Sequence, residues 1–278
     1  MCRRNELSVT VLSENTGFGQ CEGQHGLSLY IRFLRHRILL DAGQSRLFAE
    51  NAKKLGINLK KVDLAVLSHA HYDHADGFDE FLSTNKKAKL YVRKEAEEIF
   101  YADHDGHVDY IGPRKGMLAE YADRVVYVDS SCCFLGSDKI FLVPHSTEGL
   151  SDIGEKAKLY KLVDEKIYAD DFEHEQSLVI STKKGLVIFN SCSHGGPANI
   201  IKEVQKQRPG EKIYAYIGGF HLSKYPDEDV YSFAETLKEV AVDRIITGHC
   251  TGDRAFGILR EKLGERVEKM HSGLSIEL

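Results

Sequence analysis

Short apolar runs separated by turn-forming residues open the chain. LSVTVLS (Leu7–Ser13), GLSLYIRF (26–33) and RILLDAG (37–43) are too short for helices and rich in β-formers, so each predicts a strand. The period then changes. SRLFAENAKKLG (45–56) predicts a helix, with Ser45 as N-cap and Gly56 just past its C-terminus. VDLAVLS (62–68) returns to a strand, and its end runs into LSHAHYDHADGF (67–78). KLYVR (89–93), RVVYVD (124–129) and KIFLVP (139–144) predict further strands. Residues 93–124 offer one helical start and then a Gly-, Asp- and His-rich loop, a length that suits a lid or binding element. Residues 146–170 are polar and suggest no element.

The second half alternates more regularly. SLVIST (177–182) and GLVIFNSC (185–192) predict strands joined by a KKG turn, and a helix follows over 197–207 with Pro197 tolerated in its first turn. KIYAYIGG (212–219) predicts a strand. DEDVYSFAETLKEV (227–240) places Val230, Phe233, Leu237 and Val240 on one helical face. RIITGHC (244–250) predicts a strand and RAFGILREKLG (254–264) a terminal helix. Strands clustered early and β-helix-β units late make an α+β chain, which two packed sheets with helices on both outer faces would satisfy. No repeat or low-complexity tract divides it, so a single domain over 1–278 is expected, with a lid inserted around 93–124.

Composition narrows the partners. The 278 residues suffice for a sizeable core, and 42% hydrophobic with 28% charged residues is ordinary for a water-soluble globular chain. A net charge of −5 without a basic run does not suggest a nucleic-acid partner, although a local basic patch can hide inside an acidic total, and a small-molecule substrate is expected. No apolar run is long enough to cross a bilayer, so no membrane association is expected. Arg3 and Arg4 precede no apolar segment of the secretory type. The six cysteines form no CxxC pair and do not resemble a disulfide framework, which points to a reducing cytoplasm. Most of them read as small buried filler, Cys192 and Cys250 excepted. The oligomeric state leaves no mark in the pattern.

The chemistry concentrates at the end of the 62–68 strand. On an extended chain alternate side chains point the same way, so His69 and His71 can reach one ion. Asp73 and His74 follow at once, and a small turn would aim them at a second. Imidazoles and carboxylates suit zinc, iron or manganese. A solvated polar loop accounts poorly for four ligand-type side chains within six positions.

HAHYDH (69–74) resembles the HxHxDH signature of the metallo-β-lactamase superfamily. HGLSLYI, DAGQSRLFAENAKKLGI, GLVIFNSCSHGG, IYAYIGGFHL and ITGHCTG further resemble its dihydropteroate-synthase-like branch, which includes dihydropterin ribofuranosyl-aminobenzene phosphate synthase-like proteins. The likeness spans nearly all the chain except 93–124 and 146–170. It implies an αββα sandwich of two packed mixed sheets and two divalent transition-metal ions, zinc foremost, with iron or manganese as alternatives. By the same resemblance Asp41 is a buried residue supporting the ligands, His194 is a ligand, and His249 is the last histidine of the set. The usual bridging aspartate motif is absent. Cys192 lies near its place, as a ligand or as a packed thiol. His221 either ligates or, the preferred reading, donates to the substrate as a catalytic group. Asp73 would ligate and also take a proton from water. His25 either lines the mouth of the site or is a surface residue, and His104 and His107 on the lid are either substrate-facing or solvated. His36, His145, His174 and His271 read as structural or surface residues, with Glu173 a minor acidic candidate. Asp76 stands where the family pattern has glycine, which could change the turn there.

Two ions about 3.5–4 Å apart would activate water near neutral pH for attack on carbonyl or phosphorus. The expected function is therefore a metal-dependent hydrolase of a small-molecule ester or phosphoester. The alternatives are a synthase-like transferase, an RNA or DNA phosphodiesterase, which would need a basic groove, and a catalytically weak binding or sensor protein.

Overall fold

The structure, a computed structural model, describes residues 6–129 and 133–278. Cys2 and Cys132 lie outside the described residues. The chain begins with β1 (Leu7–Ser13), β2 (Ser28–Phe33), β3 (His36–Leu40), α1 (Leu47–Lys54) and β4 (Leu64–Val66). Next come α2 (Tyr72–Ala75), α3 (Phe78–Thr84), β5 (Lys89–Arg93), β6 (Ile99–His104), β7 (His107–Tyr110) and α4 (Met117–Glu120). The middle carries β8 (Val125–Val128), β9 (Cys133–Phe134), β10 (Ile140–Pro144), α5 (Leu150–Ala157), β11 (Leu159–Val163) and β12 (Lys166–Ala169). The remainder is β13 (Gln176–Thr182), β14 (Gly185–Phe189), α6 (Pro197–Gln207), β15 (Ile213–Ile217) and α7 (Asp227–Glu239), followed by β16 (Arg244–Thr247), α8 (Asp253–Leu263), β17 (Val267–Lys269) and β18 (Ser275–Glu277). Contacts group these into two units. The first takes the described residues to 129 with 146–175 and 272–278, and the second takes 133–145 with 176–271.

In the first unit the sheet order is β18-β1-β2-β3-β4-β5-β8. Pairing is antiparallel from β18 to β3 and parallel from β3 to β8. Leu7, Val9 and Val11 point inward on β1 and Ser8 and Thr10 between them are half-buried, the period-two pattern of a strand with one core face. Phe48 of α1 and Phe78 and Phe81 of α3 are fully buried against Leu39, Ala65 and Leu90 of the sheet. Burying each such ring contributes about 1.5–3 kcal/mol.

The two segments that suggested no regular structure build a second sheet in this unit, ordered β12-β11-β6-β7 and antiparallel throughout. Residues 93–124 are thus a 3₁₀ turn, the β6–β7 hairpin and α4, not the loop expected there. Phe100 and Ala102 of β6 alternate inward, but charged and polar neighbours hide the period, and β6 finds its other edge partner, β11, far along the chain. Ala102, Leu150, Leu159 and Phe172 form a small core under this sheet.

In the second unit the order is β17-β16-β15-β14-β13-β10-β9, antiparallel from β9 to β14 and parallel from β14 to β17. Ile200, Ile201 and Val204 of α6, Val230, Ala234 and Leu237 of α7, and Leu259 of α8 pack on Leu186, Ile188, Tyr216 and Ile245. Phe233 and Val240, expected on the buried face of α7, are only partly buried, because the contact is centred on Ala234. The helix α8 is followed by β17 on the edge of this sheet and by β18, which returns to β1 of the first unit.

Each seven-stranded sheet therefore changes from antiparallel to parallel once. The ligand-type residues leave the C-terminal ends of strands on its parallel side: Asp41 after β3, His69 to His74 after β4, Cys192 and His194 after β14, His221 after β15, and His249 and Cys250 after β16. Loops at such strand ends are where open α/β sheets place ligands. No helix among the described residues is long and apolar enough to cross a membrane.

Candidate metal centre

In the first unit the run after β4 folds back as the short helix α2, which has His71 as N-cap and contains Asp73 and His74. His69, His71, Asp73 and His74 are all buried. The His69 ring centroid is 4.6 Å from that of His71 and 4.2 Å from that of His74. Asp73 Oδ2 lies 3.4 Å from His74 Nε2 and 3.2 Å from His25 Nε2.

Asp41 organises this cluster from beneath. It is fully buried and takes a left-handed φ of 55°, a strained conformation for a side chain of this kind. Its Oδ1 accepts the Ser68 backbone N–H at 2.7 Å, and its Oδ2 accepts the Ser68 hydroxyl at 2.7 Å and His74 Nδ1 at 2.8 Å. With the Ser68 hydroxyl donating to Asp41, its oxygen accepts from His69 Nδ1 at 2.9 Å. One carboxylate thereby sets two tautomers, and Nε2 is left as the lone-pair nitrogen on both His69 and His74.

The close approach of α3 depends on Gly77, where a Cβ would stand 2.0 Å from the Ala42 carbonyl oxygen. Asp76 instead adopts ordinary right-handed helical angles and accepts the Arg114 backbone N–H at 2.7 Å. Its side chain therefore leaves the turn regular.

The electrostatics fit a cation. Burial opposes charge on His74, but Asp73 and Asp41 outweigh it and hold the ring at about 10. The pocket thus favours positive charge where two carboxylates and an imidazole converge, and the donor set of three histidines and an aspartate is one that zinc, iron or manganese takes. His71, by contrast, is pushed down by burial, with Asp170 opposing, which favours the neutral ring a metal requires.

Asp170 and His174 were not singled out as site residues by the sequence. Asp170 Oδ2 sits 3.1 Å from His174 Nε2 and 3.9 Å from His71 Nε2, and its Oδ1 accepts the Phe172 backbone N–H at 2.8 Å. The Ala70 backbone N–H donates to His174 Nδ1 at 2.9 Å, so Nε2 of that ring carries the proton facing Asp170. The pair braces the backbone between His69 and His71. Burial would raise the Asp170 carboxyl, but His174 and His71 outweigh it and hold it below the usual carboxylate range. Glu173, the acid favoured in this stretch, instead offers its backbone carbonyl to Arg93.

The other histidines separate by exposure. The His25 side chain is 54% exposed, so it sits at the rim of the cluster with only its Nε2 reaching Asp73. His104 and His107 lie on the exposed β6–β7 hairpin, where His107 Nε2 is 3.1 Å from Asp109, and they are not part of the buried cluster. His145 is held by Ser177 and Glu203.

The second unit carries its own group. The rings of His194 and His221 are 4.5 Å apart between centroids. The ligand atoms of Cys192, His221 and Cys250 all lie within 4.8 Å of one another. His249 is buried in a 3₁₀ turn with φ of 49°. Burial would raise the Cys250 thiol, but hydrogen bonding by Cys192 and His221 and the nearby His249 outweigh it and hold it well below its ordinary value. Cys250 stood out in the sequence, but nothing there joined it to His221.

Comparison with known proteins identifies the family and the fold. The family model described as the metallo-beta-lactamase superfamily matches residues 24–163. A protein of Methanocaldococcus jannaschii named 7,8-dihydropterin-6-methyl-4-(beta-D-ribofuranosyl)-aminobenzene-5'-phosphate synthase is 33% identical, with 91% of this chain and 90% of that protein covered. An uncharacterized protein of the same organism is 28% identical, with 89% and 91% covered. Among solved structures, a metal-dependent hydrolase of the beta-lactamase superfamily superposes with a TM-score of 0.82 at 29% identity, over 98% of this chain and 99% of that one. A metallo-beta-lactamase fold protein from Bacillus subtilis shares the fold at a TM-score of 0.56 and 12% identity, over 99% and 100%.

Proposed function

The chain belongs to the metallo-β-lactamase superfamily and has its fold, and on that premise we propose that it is a metal-dependent hydrolase of a small-molecule ester or phosphoester. The observation that carries the reading is the buried set His69, His71, Asp73 and His74, with its tautomers fixed from one carboxylate. The resemblance to the family implies two further metal ligands, His194 and His249. Two divalent transition-metal ions, zinc foremost, would supply Lewis acidity and acidify a water molecule there.

The chain's own residues do the rest. Asp41 occupies Nδ1 of His74 directly and Nδ1 of His69 through Ser68, which leaves Nε2 as the nitrogen that each ring would offer to a metal. Asp170 and His174 hold the neighbouring backbone, so the imidazoles need not reorganise when ligands bind. Asp73 has one carboxylate oxygen near both His74 and His25 and is the group placed to accept a proton from the attacking water. His25, at the rim, then receives or orients that proton and meets the substrate. His104 and His107 would reach substrate only through movement of their hairpin. Cys21, Cys133, Cys192 and Cys250 are all thiols, which suits the cytoplasmic location we propose.

A second reading is favoured by the 33% identity to the named synthase over 91% of the chain: bond formation to a phosphorylated ribofuranosyl-aminobenzene in place of hydrolysis. Both readings converge on a small-molecule substrate. The zinc- or manganese-loaded protein, offered phosphomonoesters, phosphodiesters and carboxylic esters, is expected to release phosphate, alcohol or acid in a reaction that a chelator abolishes. Pyrophosphate release coupled to a new bond between a dihydropterin methyl group and a ribofuranosyl-aminobenzene phosphate would replace the first reading with the second. Turnover indifferent to chelator would remove both.

A further inference from the structure

Three neighbouring strands of the second unit, β10, β13 and β14, bring polar side chains together at one end of their sheet. His145 follows β10, Ser177 lies near the start of β13, and Asn190 follows β14. Helix α6 adds Glu203. His145 Nε2 lies 3.0 Å from Ser177 Oγ and 3.2 Å from Asn190 Nδ2, and its Nδ1 lies 3.3 Å from Glu203 Oε2. We propose that His145 is a positioning residue that clasps both ends of the loop 190–196, which carries Cys192 and His194. The clasp follows from the geometry of this unit alone, and its effect on metal rests on the reading of His194 as a ligand.

The hydrogens have one consistent arrangement. A carboxylate only accepts, so the His145 proton that faces Glu203 sits on Nδ1 and leaves Nε2 as an acceptor. The Ser177 hydroxyl donates to Nε2, and its oxygen accepts from Asn190 Nδ2 at 3.0 Å. Asn190 Nδ2 also donates to Nε2. On the other side of the same amide, Asn190 Oδ1 accepts the Ser193 backbone N–H at 2.7 Å. His145 and Ser177 thus set which way the Asn190 amide faces, and that amide holds Ser193. Ser177 and Asn190 are fully buried and the His145 side chain is 3% exposed. Polar groups so enclosed keep their geometry only while every partner is present.

The loop needs such restraint. Ser193 stands between Cys192 and His194 with a left-handed φ of 59°, a strain that persists only where the surroundings impose it. Its hydroxyl donates to the Gly219 carbonyl oxygen at 2.6 Å and accepts from the Tyr216 hydroxyl at 2.9 Å, which ties it to β15 and the turn after it. The Asn190 amide restrains its backbone N–H. Gly195 and Gly196, the latter with φ of 77°, then lead into α6. Two glycines in a row would let the far end of the loop swing. Glu203, in the second turn of α6, ties that helix to the ring that sets Asn190. One imidazole thereby joins the residue that opens the loop to the helix that closes it.

Serine, histidine and a carboxylate in this order are also the members of a hydrolytic triad. That role does not fit Ser177, which is fully buried and whose oxygen accepts from Asn190, so no substrate carbonyl reaches it. Space-filling alone does not require these groups either, since apolar side chains would fill the same room with no buried hydrogen bonds to satisfy. The network ends instead on the backbone N–H between two ligand-type residues, where groups that orient metal ligands act. His145, read from the sequence as structural or surface, lies 45 positions before Asn190 and 58 before Glu203, a separation that conceals the clasp.

The test reads the loop and the metal separately. In metal-free, full-length protein, His145→Ala is expected to speed amide hydrogen exchange over residues 191–196 at least about tenfold, with β13 and β14 unchanged. Glu203→Gln, which keeps an acceptor for Nδ1, should loosen the loop less than Glu203→Ala. Cobalt(II) is the metal probe, with His194→Ala as the reference. His145→Ala is expected to shift the visible cobalt absorption in the same direction as His194→Ala and to weaken binding about tenfold, the order seen when groups that orient ligands are lost. Because His145→Ala can misfold, ring-nitrogen magnetic resonance of the unaltered protein is a further measurement, with the His145 proton expected on Nδ1. The proposal is overturned by unchanged exchange over 191–196 in folded His145→Ala or by a His145 proton on Nε2 alone. It is equally overturned if cobalt affinity and absorption stay unchanged in His145→Ala while His194→Ala alters both. If His194→Ala alters neither, the ligand reading of His194 fails, and the exchange result decides the clasp by itself.

Discussion

Asp41 exerts its effect through other side chains, touching Ser68 and His74 directly and His69 through the Ser68 hydroxyl. Replacing it with asparagine keeps the volume but removes the charge and presents a donor where two hydrogens already point. Metal affinity is expected to fall about 10–100-fold, as for other groups that orient metal-binding histidines. Competition with a chromophoric chelator measures it, and an affinity equal to that of the unaltered protein would show that Asp41 does not orient the rings. Gly77→Ala tests the packing of the same turn, since its Cβ would meet the Ala42 oxygen at 2.0 Å. A loss of about 1–3 kcal/mol is expected from such overpacking, read by denaturant titration. At this scale His69, His71, Asp73 and His74 were legible because they are adjacent in the chain. Asp170 and His174 were not, because they reach the cluster across about a hundred positions and sit in a polar stretch with no periodicity.

Elements were legible where one face alone was buried. The strand Leu7–Ser13 and the helix over 197–207 appear with the bounds their patterns predict, because alternation or a helical stripe meets a sheet core. The sheet β12-β11-β6-β7 escaped notice because Tyr101, Asp103, Lys161 and Tyr168 interrupt the apolar pattern, and its pairing joins segments far apart in sequence. That sheet matters to the site through Phe172, which is buried in its small core and whose backbone N–H holds Asp170. Phe172→Ala is expected to cost about 3–5 kcal/mol from the lost burial and the cavity it leaves. It should also weaken metal binding, since the brace on His71 loosens. Lost stability with metal affinity intact would mean that the small core and the site are independent.

For the whole molecule, the charge of −5 and the absence of a basic run fit a small substrate better than a polyanion. The family and the fold follow from motifs spread over most of the chain. The substrate does not, because it is read by loops and a rim whose residues carry no fixed pattern. Ligands that bind only the folded chain stabilise it by mass action, about 2.7 kcal/mol at a hundredfold excess over Kd. Chelation should therefore lower the unfolding midpoint by several degrees and zinc should restore it. A midpoint that does not respond to either would argue that the buried histidines stand without an ion.

The measurement closest to the central claim is elemental analysis of the purified protein beside its His69→Ala/His71→Ala variant, with circular dichroism to verify that both are folded. Zinc, iron or manganese should accompany the unaltered chain at more than one ion per molecule, and the folded variant should lose the share held by the histidine–aspartate cluster. Equal metal content in the two, or none in the unaltered chain after growth and purification with metal supplied, would contradict the account.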